Sequence, residues 1–442
     1  MGAGRLGRVA AGLLMAGRRA LRVAARGRGL GRRASAAGSA PPRPVRRGGA
    51  WPRGPAALLA CGLLACTAAA PPGLPALSDF YAAGPQELAG PPGTPIRWEP
   101  LDGAPLGASA YRILYRSTGL RGEPVAVSGV IVIPAGAAPD GGRPVVAWAH
   151  PTTGVVPRCA PSRALLVFQM IQGLRSMVRR GYVVVATDYP GLGTAGPHPY
   201  LVGTSAGRAV LDSVRAAQRF PGAAAGDRFV VWGHSQGGHA ALYTGLLARD
   251  YAPELRLLGV AAAAPATEIG VLLDDDIGTP AGRNLTAMTL WSWARVFDAP
   301  LERVATPQAM PVIDALAQEC IESPLDLLIR ERTARPLGRS FLAVPDLTAV
   351  EPWRALLADN TPGTLPPDLP VFLAQGGADA IVRPTVTADY ARRLCRAGSA
   401  VRRLVLPGVG HGFIATDSAV PAVDWMADRF AGRPAPDDCG AP

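Results

Sequence analysis

The chain has 442 residues, 48% of them hydrophobic, which is ample material for a large core; the length admits two or three domains or one large α/β unit. Its formal charge of +12 does not point to nucleic acid. Thirteen arginines precede residue 54 with no acidic residue among them, and subtracting them leaves −1 for everything downstream. Lysine is absent throughout, which in a chain rich in Ala, Gly, Pro and Arg reads as a coding bias rather than a function.

Residues 1–70 read as a leader that is removed or disordered. Arg46, Arg47 and Arg53 precede the apolar run 56–65, and small residues and Pro71-Pro72 follow, as in an export signal. The run is too short to span a bilayer. Leu63-Leu64-Ala65-Cys66 resembles a lipobox, which would place a lipid on Cys66, but Leu64 is not the usual small residue there. Cleavage near residues 68–70 is the plainer expectation, and export as a secreted or a lipid-anchored protein follows either way. Loss of the leader removes Cys61 and Cys66. Cys159, Cys320, Cys395 and Cys439 remain, an even set in an exported chain, with three possible pairings. We expect Cys395–Cys439, which flank one C-terminal unit, and Cys159–Cys320. None has the close spacing of a zinc site.

From residue 111 onward the pattern is that of a doubly wound, mostly parallel α/β sheet within 71–442. Runs 111–117 and 125–133 read as an antiparallel opening pair. The continuous apolar runs 144–149, 182–187, 229–232 and 257–264 have the character of strands buried on both faces. Runs 370–375 and 401–406 add two more. Helical stretches are expected at 164–180, 206–218, 238–248 and 420–430. Residues 268–367 separate two strands by far more than an ordinary loop and form an inserted, mainly helical cap. Within it, 285–297 is apolar on most of its circumference, as in a helix that is buried or that faces an apolar ligand. Packing inside the cap is the first reading, and substrate contact by Trp291 or Trp293 the second. Asp274-Asp275-Asp276 reads as a solvated loop.

The most informative segment is Gly233-His234-Ser235-Gln236-Gly237, between a short apolar strand and an Ala/Leu-rich helix. In that setting G-x-S-x-G forms a nucleophile elbow, with the serine hydroxyl lifted clear of the sheet edge. Gly203-Thr204-Ser205-Ala206-Gly207 fits the same pattern but follows a proline-rich stretch, so Ser205 reads as a helix cap. A serine nucleophile requires a base, and the base an orienting carboxylate. Of the five histidines, His234 and His239 flank Ser235 too closely, His198 lies in the proline-rich loop and His150 ends an early strand. His411, in a glycine loop after the last strand, is the expected base. Asp379, after the strand 370–375, is the expected acid, since α/β-hydrolases keep the order Ser, acid, His. The expected oxyanion donors are the N–H groups of Gln236 and of Thr152, because Pro151 has none. The stretch Asp188-Tyr189-Pro190-Gly191 reads as loop architecture at the same sheet edge.

The stretches His150-Pro151-Thr152-Thr153-Gly154, Cys159-Ala160-Pro161-Ser162, Thr187–Gly193, Gly233–Gly238 and Gly410-His411-Gly412-Phe413 together resemble the secretory lipases of the Candida lipase A type and their bacterial relatives, over about residues 80–439. The resemblance implies an α/β-hydrolase with a cap after the nucleophile strand and an exported carboxylic ester hydrolase activity. The fungal members carry an acidic residue near the position of Thr152. The expected function is a lipase or carboxylesterase, triacylglycerol lipase-like, acting on a lipid or other hydrophobic ester. It needs no metal or organic cofactor, and no nucleic acid or obligate protein partner is implied. The rival readings are a serine peptidase of the same fold, which would need acidic residues at the cap mouth, and a non-catalytic binding protein.

Overall fold

The computed structural model describes residues 78–440. The leader, with its expected export signal, Cys61 and Cys66, lies outside them. Nine strands among the described residues form one sheet: β1 (Pro95–Pro100), β2 (Ala108–Thr118), β3 (Pro124–Pro134), β4 (Arg143–Ala149), β5 (Val183–Thr187), β6 (Ala225–His234), β7 (Arg256–Ala263), β8 (Val371–Gly376) and β9 (Val401–Leu406). Their order is β1-β2-β3-β5-β4-β6-β7-β8-β9. Pairing is antiparallel from β1 through β3 to β5 and parallel from β5 to β9. The principal helices are α1 (Gly203–Arg219), α2 (Gln236–Tyr251), α3 (Ile269–Asp276), α4 (Pro280–Val296), α5 (Met310–Ala317), α6 (Pro324–Ala334), α7 (Trp353–Asp359), α8 (Pro384–Arg396) and α9 (Ala419–Phe430).

Side chains alternate between two cores across the parallel strands. Val145, Ala147 and Ala149 of β4 share one core with Val210 and Val214 of α1 and Leu242 of α2. Val146 and Trp148 share the other with Val423, Trp425 and Met426 of α9. Both faces are therefore covered, and β5 and β8 are buried along their whole length. That is why these strands appear as unbroken apolar runs.

The structure departs from the sequence expectations in four places. An edge strand, β1, precedes the opening pair; it is half-buried and begins and ends in proline, so it carries no strand-like alternation. The expected helix over 164–180 is broken into the short helices Val167–Met170 and Leu174–Arg179. Gly173 between them takes φ +83° against Val423 of α9. Ser205 is not a cap: it is a buried residue in the first turn of α1, whose N-cap position is Val202. The side chain of Asn360 accepts the Gly203 N–H instead, at 3.1 Å. Asp274 to Asp276 close α3 rather than lying in a loop.

Between β7 and β8 lie α3 to α7. Most residues of α4 from Asn284 to Trp293 are buried around its circumference. The four cysteines pair as expected: Cys159–Cys320 joins the chain after β4 to the segment between α5 and α6, and Cys395–Cys439 joins the end of α8 to the chain after α9. The second bridge spans 44 residues, and closing such a loop in the unfolded chain is worth about 2–4 kcal/mol. The double variant Cys395→Ser/Cys439→Ser should therefore unfold at a clearly lower urea concentration under oxidising conditions. An unchanged midpoint would show that the bridge adds nothing to stability.

Candidate active site

β6 runs into α2 with only Ser235 between them, and Ser235 adopts φ 56°, ψ −115°. A side chain at positive φ costs on the order of 1–3 kcal/mol and persists only where its surroundings impose it. Here the Ser235 N–H donates to the Ala263 carbonyl at the end of β7 (2.9 Å), and the Ser235 carbonyl accepts from the His239 N–H (3.0 Å). The flanking glycines are required by close backbone crossing. A Cβ on Gly233 would lie 2.0 Å from the Gly237 carbonyl oxygen, and one on Gly237 would lie 1.9 Å from that of Ala149. The second contact seats the start of α2 against the end of β4.

Two further strand ends complete the cluster. His411 follows β9, with Nε2 at 2.8 Å from Ser235 Oγ and Nδ1 at 2.8 Å from Asp379 Oδ2. Asp379 follows β8 and is buried; its Oδ1 accepts the N–H groups of Ile381 and Val382, each at 2.9 Å. A carboxylate only accepts, so Nδ1 of His411 carries the hydrogen and Nε2 is left to take the serine proton. The three residues expected from the sequence are thus brought together. His234, set aside as a base, holds the cluster from below: its Nε2–H donates to the His411 carbonyl (3.0 Å) and its ring lies 5.0 Å from that of His411.

Gln236 opens α2, where a backbone N–H has no intrahelical acceptor. Thr152 lies in the loop after β4, and its Oγ1 is 2.9 Å from the Tyr200 hydroxyl. Asp188 belongs to the framework: it accepts from Ser128 Oγ (2.7 Å) and Ser162 N–H (2.9 Å). Beside Ser235 and Gln236 opens a small apolar cavity, walled by Leu201, Ile269, Leu273, Leu285 and Val382. Trp291 and Trp293 are not among its walls. Trp293 stacks on Trp353 and donates to the Tyr200 carbonyl; Trp291 donates to Asp314 and lies under the Arg295 guanidinium. Of the two readings the sequence left open, these contacts are those of packing within the insert. They pack the insert, and Leu285, about two turns earlier on α4, reaches the cavity.

The sequence profile of the secretory lipase family matches residues 165–438. The chain belongs to that family. A secreted triacylglycerol lipase of Malassezia globosa is 27% identical over 355 residues, covering 75% of each chain. A probable inactive lipase of Mycobacterium tuberculosis is 26% identical over 387 residues, covering 83% of this chain and 84% of its own. Among solved structures, Candida antarctica lipase A aligns with a TM-score of 0.70 at 20% identity, over 82% of this chain and 88% of that one. The rice cell wall degrading esterase LipA of Xanthomonas oryzae aligns at 0.63 and 20% identity, over 75% and 96%. The fold is that of the α/β-hydrolases, and a secretory family with two disulfides fits an exported chain.

In this member of the secretory lipase family four of the five histidines are buried and neutral. Burial holds His198 and His234 down to about 3 and His150 and His239 down to about 4, from an ordinary 6.5. Such a group takes its proton first in the unfolded chain, so it removes stability as pH falls from about 6.5 towards 4. Burial also raises Asp188 from 3.8 to about 6, and Asp212 upward, and these act in the opposite sense. Four outweigh two. The urea midpoint should fall between pH 7 and pH 5; an unchanged or rising midpoint would contradict the neutral, buried state of these histidines.

Proposed function

We propose that this chain is a carboxylic ester hydrolase that cleaves hydrophobic, triacylglycerol-like esters through an acyl-enzyme on Ser235. The observation that carries the reading is the unbroken hydrogen-bond chain Asp379–His411–Ser235 at the edge of an apolar cavity. Ser235 Oγ attacks the ester carbonyl carbon as its proton passes to His411 Nε2. Asp379 holds the imidazole tautomer and stabilises the imidazolium that forms. The oxyanion of the tetrahedral intermediate is received by the N–H groups of Gln236 and Thr152, next to the positive end of α2. Collapse breaks the bond to the alkoxy oxygen, which leaves as the alcohol with the proton from His411. Water then attacks the acyl-enzyme with His411 again as base, releasing the acid and restoring Ser235. The insert at about residues 268–367 serves as the cap, and its α3 and α4 wall the acyl site.

Two observations weigh against the rival readings. The relative from Mycobacterium tuberculosis is a probable inactive lipase, but here nucleophile, base and acid all stand within hydrogen-bond distance. A peptidase reading a substrate's amine terminus needs carboxylates on the cavity wall, and among the described residues the wall carries none.

Ser235→Ala should lower initial rates on aryl esters by at least about 10³-fold with the circular dichroism spectrum intact. Ser205→Ala should keep most activity. The opposite pattern would overturn the elbow assignment. Each buried methylene contributes about 0.8 kcal/mol, or close to fourfold in kcat/KM, so efficiency should rise with acyl length until the cavity is full. Leu285→Trp, which fills the cavity, should lower kcat/KM on octanoate more than on acetate. Equal losses on the two esters would show that the acyl chain lies elsewhere.

A further inference from the structure

Both residues assigned as oxyanion donors have their side chains hydrogen-bonded to one three-residue segment, His198-Pro199-Tyr200. Gln236 is held by His198. The imidazole Nδ1 faces the Pro190 carbonyl at 2.9 Å and so must carry the hydrogen, which leaves Nε2 to accept from the Gln236 side-chain amide at 2.8 Å. The other amide atom, Oε1, is buried without a partner among the described residues, so the orientation of that side chain rests on His198. Thr152 is held by Tyr200, whose hydroxyl lies 2.9 Å from its Oγ1. His198 and Tyr200 are 1% and 2% exposed; the Gln236–His198 contact is buried and the Thr152–Tyr200 contact half-buried.

The segment is in turn clamped by the insert. Ser292 of α4 bridges it, its hydroxyl donating to the His198 carbonyl (2.6 Å) and accepting the Tyr200 N–H (3.0 Å). The next residue, Trp293, donates from its indole to the Tyr200 carbonyl (2.8 Å). From this geometry we infer that His198 and Tyr200 are positioning residues for the oxyanion hole, and that Ser292 makes their placement depend on the insert. The inference rests on the ester hydrolase reading above. Donors for a developing oxyanion act only when set to within a fraction of an ångström, so loosening the segment weakens binding of the transition state more than that of the ground state.

The test compares Tyr200→Phe, Thr152→Val, their double variant and Ser292→Ala with the wild-type full-length protein, using p-nitrophenyl butyrate and a trifluoromethyl ketone that mimics the tetrahedral intermediate. Tyr200→Phe and Ser292→Ala keep the shape of their sites, and Ser292→Ala serves if the first does not fold. Each single variant should lower kcat by about three- to tenfold with KM within about twofold, and should raise the ketone's Ki by the same factor as the loss in kcat. The double variant should lose no more than the worse single one, since both substitutions break one contact. The acid limb of the kcat profile should stay in place, because His411 and Asp379 are untouched. Wild-type kcat and Ki in both Tyr200→Phe and Ser292→Ala would overturn the inference, as would a rise in KM alone or a displaced acid limb. Ser235→Ala is run alongside. A Ser235→Ala rate within about tenfold of wild type would sink the hydrolase reading itself, whereas the expected loss in Ser235→Ala beside unaffected Tyr200→Phe and Ser292→Ala would sink only the positioning role.

Discussion

Where α2 begins, backbone lies against backbone with no room for a side chain. Gly237 approaches the Ala149 carbonyl so closely that a Cβ would stand 1.9 Å from its oxygen, and Gly233 approaches Gly237 in the same way. This double crossing fixes Ser235 at φ 56° and presents its hydroxyl above the sheet edge. It also brings the start of α2 beside the loop that follows β4. Ser235 and the Gln236–Thr152 side of the candidate site are thus set by one contact between strand ends, and His411 and Asp379 arrive from β9 and β8 at the same edge. Any residue but glycine at 237 would have to push α2 away from β4 and so part Gln236 from Thr152.

The stretch between β7 and β8 is more than a cover. Its Asn360 receives His239 Nε2–H on its carbonyl (2.7 Å) and the Gly203 N–H on its side chain, joining α2 and the start of α1. The Ile321 N–H donates to the Thr153 carbonyl (2.8 Å), next to the Cys159–Cys320 bridge. Ser292 and Trp293 hold the segment 198–200. These bonds are buried or half-buried, where hydrogen bonds are electrostatically stronger than in water and an orphaned partner is costly. The base of the insert is therefore tied into the framework of the candidate site.

What could be read from the chain follows from what each feature depends on. The central parallel strands were legible because burial on both faces demands continuous apolar runs; Ser235 and Asp379 follow such runs closely, and His411 was found through its glycine loop after the last strand. The edge strand β1 was hidden because one half-exposed face and two terminal prolines leave no periodicity to read. The break at Gly173 depends on packing against Val423, some 250 positions away. Trp291 and Trp293 showed that α4 is apolar all round, but helical periodicity cannot separate a wall of packed side chains from a wall facing a ligand. The parts played by His198 and Tyr200 arise from contacts across 38 and 48 residues. Only the dense Pro197-His198-Pro199-Tyr200 run marked the place, and it read as a loop.

The central claim is that the strained serine between β6 and α2 is the nucleophile, activated through His411. Labelling the folded protein with a fluorophosphonate and mapping the adduct by mass spectrometry tests this most directly. The account predicts one stoichiometric adduct, on Ser235, with the labelling rate collapsing in His411→Ala. An adduct on Ser205, or labelling of Ser235 at an undiminished rate without His411, would contradict it.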